Sequence, residues 1–203
     1  MVCGHYRSRR ADRVGLVLSL LFSDVAWTLP PRPPVSSLIA FASLASPAPA
    51  DQPTEYDVKA AFLFNFVKFV DWPSTSFANP DSPITICILG TDPFGRILDD
   101  LVQGELVNGR KVTVHRIQDL PTPRACQVVF AWRSDQELVA EMNRMGKGVL
   151  TVGEGDNFLR DGGIISFVVQ NRRVRFDINR AAAEAAGLRL SSKLMSVARA
   201  IRK

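Results

Sequence analysis

The chain has 203 residues, with 25 Lys and Arg against 20 Asp and Glu, a formal net charge of +5. Five of the arginines lie in the first 50 residues against only Asp12 and Asp24, so the remaining 153 residues carry just +2. That near-balance excludes a nucleic-acid footprint for the body of the chain, whose length suits one domain with a substantial core.

At the start, Arg7, Arg9, Arg10 and Arg13 precede an apolar run over 14–22, prolines cluster over 30–34, and a second apolar run leads to Ala48-Pro49-Ala50. A basic beginning, a short apolar core and an A-x-A site describe a secretory signal peptide. The pattern predicts a leader over 1–50, cleavage before Asp51 and an exported mature domain over 51–203. Neither apolar run approaches the roughly 20 residues that span a bilayer. The prolines that split the leader also fit a start codon assigned too early, with translation beginning near Val14. A disordered N-terminal extension is the alternative reading.

The stretch 55–73, EYDVKAAFLFNFVKFVDWP, is rich in aromatics and holds lysines at 59 and 68. Phe62, Phe66 and Phe69 share one helical face, and Leu63, Val67 and Val70 line the next. The apolar surface is wider than the roughly 100° stripe of an ordinary surface helix, so a sheet or a partner must cover it. A polar loop over 74–83 follows. Residues 84–89, ITICIL, form a continuous β-branched run that predicts a strand buried on both faces. Asp92-Pro93 predicts a capped helix over 94–102. Strands are predicted over 111–117, 128–132 and 148–152. Ser134 and Glu137 have the spacing of a capping box for a helix ending near Met145, and Gly153-Glu154-Gly155 opens a loop. Strands alternating with helices predict a three-layer α/β domain with a mostly parallel sheet.

The end departs from that alternation. Segments 164–169 and 173–178 flank Gln170-Asn171-Arg172 as a β-hairpin. Its second arm alternates Val174, Phe176 and Ile178 with Arg175, Asp177 and Asn179, one face buried and one wet. Asn179 caps a helix over 180–186 that Gly187 stops. Leu188 and Leu190 are extended, and a basic helix over 193–203 presents Leu194, Val197, Ala198 and Ile201 on its apolar face. The fold class is therefore a single three-layer α/β domain ending in a β-hairpin plus helices.

Outside the leader only Cys87 and Cys126 remain, and in an oxidising compartment a lone pair is expected to close as a disulfide. Both flank strands able to lie side by side. The bridge would close a loop of about 40 residues, stabilising the fold by about 3–4 kcal/mol. Two unrelated buried thiols stay open as an alternative.

The motif E-Y-x-V-K-A-A-F-L-x-N-F-x-K-F-x-x-W-P resembles the opening of the YfiR-like family of periplasmic regulators. The resemblance continues through G-D-N-F-L-R-D-G-G-I-I-S-F, R-V-R-F-D-I-N and A-A-G-L-R-L-S-S-K-L-M-S-V-A-R, and with the cysteine pair spans nearly all of 55–202. Some members carry a second cysteine pair in the C-terminal half, which this chain lacks. The resemblance implies a non-catalytic repressor that binds the periplasmic sensory domain of an inner-membrane diguanylate cyclase or related sensor and lowers cyclic di-GMP.

The residues themselves offer little chemistry. The body of the chain has one histidine, His115, inside an apparent strand, and no zinc spacing, nucleophile elbow, P-loop or dinucleotide fingerprint. Asp99 and Asp100 diverge by about 100° on a helix and do not hold one reacting group. Asp156 is expected to cap the turn 157–160. No enzyme, cofactor or metal is expected. Two surfaces are candidates for binding. One is a partner surface of Leu190, Leu194, Val197, Arg172, Arg173 and Arg175, facing an acidic patch. The other is a ligand crevice at the strand ends with Thr91, Asp92, Glu154 and Asn157. The crevice carries the alternative function, a periplasmic small-ligand-binding sensory module coupled to another membrane sensor. Self-association into a homodimer is left open.

Overall fold

The computed structural model describes residues 52–122 and 124–202, so the leader and its cleavage site lie outside the described residues. Helix α1 (Glu55–Phe69) opens with a capping box: the Asp57 N–H donates to Thr54 Oγ1, and the Thr54 N–H returns a bond to the Asp57 carboxylate. This satisfies two of the donors that a helix start leaves free. Leu63, Phe64, Phe66 and Val67 are buried, so the aromatic stretch is covered by the body of the domain. After α1, the two-residue strand β1 (Val70–Asp71) pairs with β9 (Arg189–Leu190), antiparallel.

The main sheet has eight strands, named in chain order: β2 (Ile84–Leu89), β3 (Leu106–Val107), β4 (Arg110–Ile117), β5 (Val128–Ala131), β6 (Leu150–Glu154), β7 (Ile165–Gln170), β8 (Arg173–Asn179) and β10 (Ala200–Arg202). Their order across the sheet is β10-β8-β7-β6-β5-β2-β4-β3. The strands β4, β2, β5, β6 and β7 run parallel, but β3–β4 and β7–β8 pair antiparallel, so the sheet is mixed rather than mostly parallel. The reason is local: turns at Asn108-Gly109 and Asn171-Arg172, with positive φ at all four residues, fold the chain straight back at both flanks.

Helices cover both faces, as a three-layer α/β domain requires. Ile84, Ile86 and Ile88 of β2 join α1, α2 (Arg96–Val102) and α6 (Ser192–Val197) in one core. Cys87 and Leu89 face the other way, toward α3 (Gln136–Arg144) and α4 (Asp156–Arg160). This two-sided burial is why β2 reads as an unbroken apolar run. On the second face Cys87 and Cys126 are bridged, their Cα atoms 5.9 Å apart, which ties β2 to the segment entering β5. Phe158 of α4 lies between Gly153 and Gly163, where an added Cβ would sit 2.3 and 2.2 Å from its ring. Gly153, and Gly163 at the end of the G-D-N-F-L-R-D-G-G motif, thus make room for an aromatic side chain.

Several local expectations are corrected. The Asp92 carboxylate accepts from the N–H groups of Phe94 and Gly95, but α2 begins only at Arg96. Asp135 rather than Ser134 caps α3, its carboxylate accepting from Leu138 N–H. Gly153 and Glu154 continue β6, and Asp156 is inside α4, whose cap residue is Gly155. Asp177 is buried on the supposedly wet face of β8, because the Arg199 guanidinium binds it bidentately. The largest correction is at the C-terminus. The helix expected over 193–203 stops at Val197, Ala198 turns extended, and 200–202 become β10, parallel to β8. Asn179 does cap α5 (Arg180–Ala185), accepting from Ala182 N–H.

Candidate functional site: the strand-end crevice and the hairpin groove

From β2 the chain crosses to β4 on one side and then to β5 on the other, so β2 and β5 flank the point where the strand order reverses. Open α/β sheets place their crevices outside the strand ends at such points. Here Gly90 and Thr91 after β2, Gln118 and Asp119 after β4, and Trp132 and Arg133 after β5 line a crevice of about 630 Å³. The Arg133 guanidinium lies over the Trp132 ring, 4.5 Å from its centroid.

Of the four residues expected to form a ligand crevice, Thr91 lines this one. Asp92 is committed elsewhere, pairing at 2.8 Å with Arg116, which also binds Asp99 and the Gly95 carbonyl. The Arg116 bond holds the Asp99 carboxyl below its ordinary pKa. Glu154 stands at the end of β6, two strands and roughly 10 Å across the sheet from β2 and Thr91, and Asn157 is exposed on α4, accepting from Arg160. His115, exposed on β4, joins neither group.

Glu154 belongs to a polar cluster under the first turns of α1. Lys59, 2% exposed, donates to Glu154 at 2.9 Å and to Glu55, and its ammonium lies 4.5 Å from the centre of the Tyr56 ring. The Tyr56 hydroxyl accepts from Trp132 Nε1 at 2.7 Å. Burial opposes the charge on Lys59, but the bonds to Glu55 and Glu154 outweigh it and its pKa lies above the ordinary value. Burial and the nearby Glu154 raise that of Tyr56. Sequence reasoning noticed the lysine but not its partner, 95 residues distant.

The expected partner surface divides. Leu194 is 3% exposed and belongs to the core; Leu190 is half-buried in β9, paired with Val70. Val197 at 56% and Ile201 at 43% stand out from the C-terminal end of the chain. Arg172, Arg173 and Arg175 are exposed on the hairpin and border a groove of about 680 Å³, whose other wall is 52–55 with Val58 and Phe62 of α1. Among the described residues no group of three or more His, Cys, Asp or Glu is placed to hold a metal ion, and no helix is long and apolar enough to cross a membrane.

Residues 56–199 match the model of the YfiR/HmsC-like family. The chain belongs to that family. A search of curated proteins finds no match. YfiR/HmsC-like proteins are periplasmic regulators of the diguanylate cyclase kind, a regulatory and non-catalytic family that works beside membrane-associated partners. The match covers every element from α1 to α6, including both bridged cysteines and the hairpin.

Proposed function

We propose that the protein is exported, cleaved after Ala50, and represses an inner-membrane diguanylate cyclase by binding the cyclase's periplasmic sensory domain. Repression then requires only that the protein bind the inactive conformation of that domain better than the active one. The observation that carries this reading is the family match over 56–199. It is supported by Val197 and Ile201, two large apolar side chains exposed close together in sequence beside the arginine-pinned C-terminal strand. Apolar anchors ringed by charge are the composition of protein interfaces.

Val197→Asp and Ile201→Asp test the surface. Each is expected to leave the Tm unchanged, because neither residue is buried, while cellular cyclic di-GMP rises toward the level of a deletion strain. A folded double variant that still represses would remove this surface from the mechanism.

The alternative, a ligand-sensing module coupled to another membrane sensor, is favoured by one observation, the crevice beside Trp132. Ligand screening by thermal shift separates the two. A metabolite that raises the Tm of the wild type but not of Thr91→Trp, which fills the crevice mouth, would support sensing.

A further inference from the structure

We infer that the open edge of β8 at 173–175 accepts an extended acidic segment of a protein partner as an added strand, in the pattern acidic–apolar–acidic. The inference concerns the chemistry of the occupant and stands whether the receptor is a cyclase or another sensor.

Three observations converge on this edge. First, it is unpaired. β8 is bonded to β7 along its whole length, but on its other side β10 covers only Asp177 to Asn179, and the Arg199 N–H reaches Phe176 O. Among the described residues no strand pairs with 173–175 on that side, and an open edge is a template for another chain. Second, its charge is unneutralised. Among the described residues, none of Arg172, Arg173 and Arg175 is in an ion pair. Glu55 on the facing wall is occupied by Lys59, and Asp57, next to that wall, by the cap of α1. Third, the groove has an apolar lining. Val58, Phe62 and Val174 are half-buried along it and Val169 is 53% exposed.

Alternation along a strand sorts these features by side. Val174 shares the face of Phe176, which packs on Phe62 of α1 at 5.4 Å between ring centres. Arg173 and Arg175 point to the opposite face. A strand laid along this edge sets its own residues in the same alternation. One apolar side chain then meets Val58, Phe62 and Val174, and its two neighbours meet the arginines, where carboxylates are the matching groups.

The turn itself points the same way. Arg172 has φ 59°, a conformation that glycine adopts without strain and for which Asn-Gly is the usual pair. An arginine stands here where backbone chemistry favours glycine. Charge also selects among occupants. The leader is basic, and a second copy offers as sheet edges β10, Ala-Ile-Arg, which brings Arg202 toward the arginines, and β3, Leu-Val, whose flanking Glu105 already pairs with Lys68.

The test uses the natively exported protein and a capped, fluorescent peptide with a Glu-Val-Glu centre, read by anisotropy. Saturable binding is expected, weakening as salt rises. Arg173→Glu with Arg175→Glu should weaken it at least about tenfold at unchanged Tm; Arg173→Gln with Arg175→Gln serves if the reversal impairs folding. Arg172→Gly should weaken binding without lowering the Tm. N-methylation along one backbone edge of the peptide should abolish binding, and the amide protons of Val174 and Phe176, which face the open side, should gain protection from exchange. Binding that survives N-methylation or charge reversal overturns the proposal. So does a Lys-Val-Lys peptide that binds as well, or association with phosphatidylglycerol vesicles in place of the peptide.

Discussion

Lys59 is the residue at which local pattern and tertiary structure meet. It lies on a helix whose neighbouring positions are apolar, and the fold takes it almost wholly out of water while supplying two carboxylates and an aromatic face. Removing one member of such a group leaves a partly buried charge uncompensated. Lys59→Met is therefore expected to destabilise the protein by about 3 kcal/mol, measured by urea unfolding at neutral pH, with Glu154→Gln costing less because Glu154 keeps partial contact with water. The pH dependence follows from the directions of the shifts. Lys59 and Tyr56 both have folded pKa values above their ordinary ones. Their contribution is complete below the unfolded values, near 10, and is lost as pH rises through the folded ones. The urea midpoint should fall above about pH 10, and Lys59→Met should flatten that fall. A steep alkaline limb in the variant would assign it to other groups. In the sequence, the aromatic faces of α1 were legible from spacing alone. The ion pair was not, because no periodicity links positions 59 and 154.

At the scale of elements, legibility followed how local the cause was. The hairpin β7–β8 was readable because alternation and the turn at Asn171-Arg172 act within a few residues. The C-terminal helix was misread for a comparable reason. Ser191 does cap it, accepting from Leu194 N–H, and the apolar spacing continues to Ile201, but the helix ends at Val197. What ends it is distant. The backbone turns extended at Ala198 and Arg199 reaches Asp177, so the last residues complete the sheet instead of another helical turn. The wet-face reading of Asp177 failed through the same contact. Arg199→Met should leave the 2%-exposed Asp177 carboxylate unpaired and cost about 3 kcal/mol, with β10 losing its protection from hydrogen exchange. Asp177→Asn in the Arg199→Met background should recover part of that loss, since the two residues act as one unit. Equal stability of Arg199→Met and wild type would mean that β10 is held by its backbone bonds alone.

For the whole molecule, strands alternating with helices identified the layered α/β architecture, and the cysteine pair identified its crosslink. Neither revealed the strand order, which depends on pairings between segments far apart in the chain, nor the antiparallel flanks that make the sheet mixed. The Cys87–Cys126 bridge closes a loop spanning 39 positions, so Cys87→Ser and Cys126→Ser should each cost about 3–4 kcal/mol. The double variant should cost little more than either, because one crosslink is lost in every case. Unequal single losses would indicate a packing role for one sulfur beyond the bridge. The platform so held presents two candidate contact regions, the exposed Val197 and Ile201 and the arginine edge of β8, on a chain of a regulatory family. The most direct measurement is cellular cyclic di-GMP in the native host, with the gene present, deleted and restored. Repression of a diguanylate cyclase predicts that cyclic di-GMP rises on deletion and returns to the parental level on restoration. An unchanged level in the deletion strain under conditions where the protein is made and exported would contradict it.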